Sequence, residues 1–140
     1  VKKMSSVVLV AHGKLANEMK NSAEMIFGEL ADFQTVEFLK EDGFDSLKEK
    51  LQTVLNQTDE SVIILADLFG GTPFNASCGL AMEYPEKQIE VISGMSLPLV
   101  LETATVYADR NARAVADYLQ EIACDTVRTF VIEEEDEEEL

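Results

Sequence analysis

Short, strongly apolar runs alternate along this chain with longer stretches in which apolar residues return every three or four positions. The runs cover residues 5–11, 35–39, 61–66 and 89–93, and their length and Val/Ile/Leu content predict strands. Residues 61–66 are almost wholly apolar, as expected of a strand covered on both faces. Between the runs, residues 14–30 place Leu15, Met19, Ala23, Ile26 and Leu30 at helical spacing. Phe44, Leu47, Leu51, Val54 and Leu55 mark the stripe of a second helix. Thr72 reads as the N-cap of a third, with Pro73 at its first position and Tyr84-Pro85 stopping it. Residues 98–125 read as helical, in one piece or two, with Ala108, Ala112, Val115, Leu119 and Ile122 on one face. Residues 129–132 predict a last short strand. Regular alternation of strand and helix predicts an α/β fold: a doubly wound, mostly parallel open sheet with helices on both faces.

Composition narrows the class without naming a function. A chain of 140 residues, 46% hydrophobic, is one domain able to bury a real core. No apolar run approaches bilayer length and no leader pattern opens the sequence, so a cytoplasmic protein is expected. The net charge of −16 argues against nucleic acid and anionic membranes as partners. Seven consecutive acids at 133–139 carry much of it, which divides the chain into a domain at 1–132 and an acidic tail at 133–140. Cys78 and Cys124 lie far apart within apolar helical patterns and predict two buried, reduced thiols. One His and two separated Cys cannot supply the usual zinc ligand set, so no metal is expected.

The candidate chemistry lies where apolar runs end. His12, the sole histidine, closes the first run and is followed by Gly13. Asp67 follows the third run and opens the turn Asp67-Leu68-Phe69-Gly70-Gly71 before Thr72-Pro73. In a parallel sheet these carboxyl ends share one edge, and if the first and third strands are neighbours a crevice opens between them. A carboxylate on one ring nitrogen of His12 would fix its tautomer, leave the other nitrogen as nucleophile, and stabilise positive charge on the ring. Glycines at 70 and 71 allow close approach of backbone to a ligand, and the helix start after them is an anion site. The nucleotide-binding patterns G-x-x-x-x-G-K-[ST] and G-x-G-x-x-G are absent, as is the hydrolase pattern G-x-S-x-G. A phosphoryl group carried on a protein side chain fits better than a bound nucleotide.

Val8-Leu9-Val10-Ala11-His12-Gly13, taken with Asp67-Leu68-Phe69-Gly70-Gly71-Thr72-Pro73-Phe74-Asn75-Ala76, resembles the IIA component (EIIA) of the mannose-type bacterial phosphotransferase system. The likeness continues through Ala23-Glu24-Met25, Val91-Ile92-Ser93-Gly94 and Leu97-Pro98-Leu99. Phe69 stands where the family often has Trp, and Thr72 where it has Ser. The resemblance implies that His12 takes a phosphoryl group from the phosphocarrier protein HPr, through its epsilon nitrogen, and passes it to a IIB component. A membrane IIC/IID permease follows indirectly. It implies that Asp67 orients His12, that Gly13, Gly70, Gly71 and Thr72 lie at the phosphate, and that no cofactor is needed. Strand order 2-1-3-4 and a homodimer exchanging a C-terminal strand, here residues 129–132, are also implied. Lys14 is the nearest basic residue in sequence, with a solvated helix-start role expected. Two other outcomes keep the phosphorylatable His12: an EIIA-like donor to dihydroxyacetone kinase, and a regulatory module whose binding depends on phosphorylation.

Overall fold

The computed structural model describes residues 2–59 and 61–133. β1 (Ser6–His12), β2 (Gln34–Phe38), β3 (Ser61–Ala66) and β4 (Gln88–Ile92) form one parallel sheet of order β2-β1-β3-β4. α1 (Leu15–Phe27), α2 (Phe44–Leu55), α3 (Thr72–Glu83), α4 (Leu97–Val106) and α5 (Ala112–Ile122) surround it, and a short 3₁₀ turn, Ala123–Thr126, follows. The predicted doubly wound class is observed, with the strand order reversing between β1 and β3.

Period-two alternation sorts the strand residues into two cores. Val7, Leu9, Ala11, Ile63 and Leu65 face α1, α4 and α5, where Ala16, Ala23, Val100, Val115 and Leu119 are buried. Val8, Val10, Val36, Val62, Ile64 and Ala66 face α2 and α3, meeting Leu47, Leu51, Leu55, Ala76 and Leu80. By the same alternation His12 belongs with Val8 and Val10, on the α2/α3 side.

The observed packing corrects several sequence expectations. α1 buries Ala16 and Ala23, with Met19 packed beside them, whereas Leu15 and Ile26 are exposed. Small side chains let this helix lie close to the sheet and α4, and the larger apolar stripe faces outward. Leu30 is buried, but beyond the helix end, after Gly28 turns the chain at φ 109°. The cap of α3 is Gly71 in extended conformation, and Thr72 is the first helical residue without a side-chain cap. The stretch 98–125 divides into α4 and α5. Asn111 caps α5 by accepting the Ala114 N–H at 2.9 Å, and Ala108 falls exposed in the break between the helices.

Neither thiol is fully buried: Cys78 is half-buried and Cys124 exposed, because both lie away from the sheet-facing stripes of their segments. Residues 129–132 add no strand to the sheet of this chain. Val127, Phe130, Val131 and Ile132 are exposed, Phe130 by 86%; a strand needs a neighbour's backbone to pair with, and none among the described residues pairs with them. The acidic tail beyond Glu133 lies outside the described residues.

Candidate active site at the carboxyl edge of the sheet

β1 ends on His12, β3 ends one residue before Asp67, and pairing of Val10 with Ala66 sets the two ends side by side. Asp67 Oδ2 accepts two hydrogen bonds from one residue, the His12 backbone N–H at 3.0 Å and ring Nδ1 at 2.8 Å. An ionised carboxylate only accepts, so the proton of the ring bond sits on Nδ1. Nε2 is then the unprotonated nitrogen of the neutral ring, on the side away from the carboxylate. Asp67 is the more enclosed partner, its side chain 11% exposed against 49% for His12. Its Oδ1 is buried with no hydrogen-bond partner among the described residues. The carboxylate is therefore met at one oxygen, by His12, and positive charge arriving on that ring has a fixed counter-charge.

The turn after Asp67 closes against the ring. Gly71 N–H donates to Leu68 O at 3.1 Å, Gly70 turns at φ 77°, and Asn75 Nδ2 donates to Gly70 O at 3.0 Å. A Cβ on Gly71 would lie 3.3 Å from Leu68 O, close enough that this turn would have to give slightly, and 3.4 Å from His12 Cε1, an ordinary contact. At the start of α3, Pro73 has no N–H, and the first helical bond runs from Asn75 N–H to Gly71 O at 2.9 Å. Thr72 and Phe74 therefore carry the amides that helix geometry leaves unpaired, at the positive end of the dipole. These donors lie on the same sheet edge and the same side as the His12 ring.

Gly13 leaves β1 at φ 59° and donates its N–H to Phe38 O at 2.7 Å, so that donor is already taken. Lys14 is exposed and precedes α1 as its N-cap. An open depression of about 590 Å³ borders His12 on the β2 side, lined by Phe38, Leu39, Lys14 and Lys40. Exposed apolar residues flank the other side: Leu68, and Phe69, which is 76% exposed and tilts against Phe74 at 5.1 Å between ring centroids. Sequence reading singled out neither Phe38 nor the Asn75 side chain. The signal for Asn75 lay within the Gly-Gly-Thr-Pro-Phe-Asn block, whereas that for Phe38 required knowing which strand borders β1. Among the described residues no cluster of three or more His, Cys, Asp or Glu is arranged to hold a metal, and no helix is long and apolar enough to cross a membrane.

Residues 6–120 match the EIIA-man family, described as PTS system fructose IIA component. The chain belongs to this mannose-type EIIA family. It is 38% identical over 121 residues to a PTS system sorbose-specific EIIA component of Klebsiella pneumoniae, a match covering 86% of this chain and 87% of that protein. A sorbose-specific EIIA component of Lacticaseibacillus casei is 33% identical over 117 residues, 83% of each chain. The fold superposes on the mannose/sorbose specific IIA subunit from Enterococcus faecalis with a TM-score of 0.84 at 34% identity, covering 93% of this chain and 97% of that one. This EIIA is accordingly a phosphotransferase, a phosphoryl-relay component of sugar uptake. The family match ends within α5, so the exposed segment after it lies outside the matched region.

Proposed function

We propose that His12 of this EIIA is the relay residue, accepting a phosphoryl group on Nε2 from phospho-HPr and handing it to a IIB component that serves a IIC/IID permease. The observation that carries this reading is the 2.8 Å bond from Nδ1–H to Asp67, which leaves the Nε2 lone pair free. As the Nε2–P bond forms, the P–N bond of the donor phosphohistidine breaks and the donor imidazole leaves. The Nδ1 proton stays on the ring, and Asp67 balances the charge the ring acquires. The amides of Thr72 and Phe74 and the Thr72 hydroxyl receive the phosphoryl oxygens, the Gly70-Gly71 turn leaves room for them, and Gly13 forms the chain exit beside the ring. Backbone dipoles thus do in this acidic domain what a metal or a cationic side chain does elsewhere, without a cofactor. Exposed Leu68 and Phe69 beside a polar centre suit docking of a protein rather than entry of a free sugar. Sugar selectivity then resides in the membrane partners.

The same reading makes the protein a cytoplasmic homodimer in which residues 129–132 of each chain pair with the other. In support, Val127, Phe130, Val131 and Ile132 are exposed and β4 is an edge strand. The relay is tested by incubating the chain with enzyme I, HPr and phosphoenolpyruvate labelled on phosphorus, beside His12→Ala. Acid-labile, base-stable label on the parent, none on the variant, and loss of label on adding IIB is the expected result. Label that drains to dihydroxyacetone kinase instead identifies the alternative acceptor. Label that reaches no acceptor identifies a regulatory module, and normal labelling of His12→Ala overturns the assignment of His12.

A further inference from the structure

We infer that Phe38 is a positioning residue for the His12 ring, acting from β2 opposite Asp67; the inference rests on His12 being the relay residue. His12 and Phe38 are paired positions in the β1–β2 register, so their side chains leave the same face of the sheet. The rings meet edge to face, with centroids 5.4 Å apart and planes at 80°. Edge-to-face is one of the two arrangements that aromatic pairs prefer. The backbones are tied at the same place, since Gly13 N–H donates to Phe38 O at 2.7 Å and forms an isolated bridge beyond the end of the ladder. Phe38 in turn packs on the buried cluster of Val8, Val10 and Val36, which gives its ring a fixed base.

The need for such a contact follows from the geometry at Asp67. One hydrogen bond anchors Nδ1, yet the nitrogen that would carry the phosphoryl group lies across the ring from that anchor. Held by its covalent bond at Cγ and by the hydrogen bond at Nδ1, the ring can still tilt about the line through those two atoms, and Nε2, opposite that edge, moves most. Gly71 carries no side chain to limit the swing on the Cε1 side, where an added Cβ would lie 3.4 Å from the ring. Phe38 limits it from the neighbouring strand. In-line phosphoryl transfer between two protein-borne imidazoles depends on placing both nitrogens within a fraction of an ångström, and misplacement by about 1 Å costs on the order of a hundredfold in rate.

The test compares Phe38→Leu and Phe38→Met, which keep apolar bulk without an aromatic ring, with Phe38→Tyr, which keeps the ring. In rapid-quench labelling over a range of phospho-HPr, the Leu and Met variants are expected to lose about tenfold in maximal rate. Their half-saturating concentration stays within about twofold of the parent, and Tyr restores the rate to within about twofold. In parallel, the His12 ring proton resonances lose their aromatic ring-current shift in Leu and Met and regain it in Tyr, while thermal midpoints stay close to the parent's. An unchanged maximal rate overturns the inference. So does a change confined to half-saturation, which would make Phe38 a docking contact only, or failure of Tyr to restore the rate. Should the parent itself take no label, the relay reading fails; the resonance comparison still reports whether Phe38 holds the ring.

Discussion

At the scale of single residues, the proposed chemistry of this EIIA rests on a carboxylate that accepts both its hydrogen bonds from one histidine. Asp67 accepts from the His12 backbone as well as from its ring, so it fixes where the residue sits and which nitrogen bears the proton. Asp67→Asn separates the two contributions. Its amide oxygen still accepts both bonds and preserves the fold, but the negative charge that balances a phosphorylated ring is gone. Labelling of His12 by phospho-HPr is expected to slow about tenfold to a hundredfold in Asp67→Asn, with a thermal midpoint within a few degrees of the parent. Unchanged transfer kinetics would remove Asp67 from the mechanism. His12 and Asp67 were legible from sequence because each ends an apolar run, and parallel strands put all such ends on one edge. Phe38 was not, since only the long-range pairing of β1 with β2 brings it to His12.

At the scale of elements, the turn between β2 and α2 is held by one acidic side chain. Asp42 Oδ2 accepts from Lys50 Nζ at 2.6 Å and from Leu39 N–H at 2.9 Å, and Oδ1 accepts from Ser46 Oγ at 2.9 Å. The Lys50 ammonium foremost, with the Leu39 amide, holds the Asp42 carboxyl down to about 2. A carboxylate with a depressed folded-state pKa stabilises the fold above its unfolded value of about 3.9, and that contribution is lost as pH falls through about 2. Asp42→Asn should therefore melt several degrees below the parent at pH 7, with the gap narrowing between about pH 4 and pH 2. Parallel melting curves at both pH values decide it, and a constant gap would show that the ion pair contributes nothing. The same turn lines the depression beside His12, so this staple supports one wall of the site. Element boundaries were partly legible: α3 was foreseen with its proline, but Gly71 rather than Thr72 caps it. A cap is chosen by backbone conformation at a single residue, and either residue type suits the position.

At the scale of the whole molecule, the described chain is an open sheet between two helical layers, with β4 at one edge and an apolar C-terminal segment left outside. Among the described residues, Val127, Phe130, Val131 and Ile132 are largely exposed. Deleting residues 127–140 should therefore leave the fold and the labelling of His12 intact. The full chain is expected to sediment as a dimer and the truncated one as a monomer; equal sedimentation of both would exclude exchange of this segment. Removing the acidic stretch alone, by ending the chain at Ile132, should leave the proposed dimer in place, because in that proposal the apolar segment supplies the pairing. Like charge on a molecule of net −16 opposes association, so added salt should strengthen the dimer.

What the sequence by itself determined was the kind of each element from β1 to α5 and the edge at which the candidate chemistry lies. Apolar period and run length are local properties, and the ends of parallel strands share an edge whatever their order. It also carried the family, through the His-Gly pair and the Gly-Gly-Thr-Pro-Phe-Asn block. Only the tertiary structure decided which stripe of α1 is buried, because Ala16 and Ala23 gain close packing that Leu15 and Ile26 would prevent. It alone placed Phe38 against His12, and it alone left residues 129–132 unpaired within the chain. Burial and pairing are decided by what lies opposite a residue, and that neighbour is supplied by strands and helices distant along the chain.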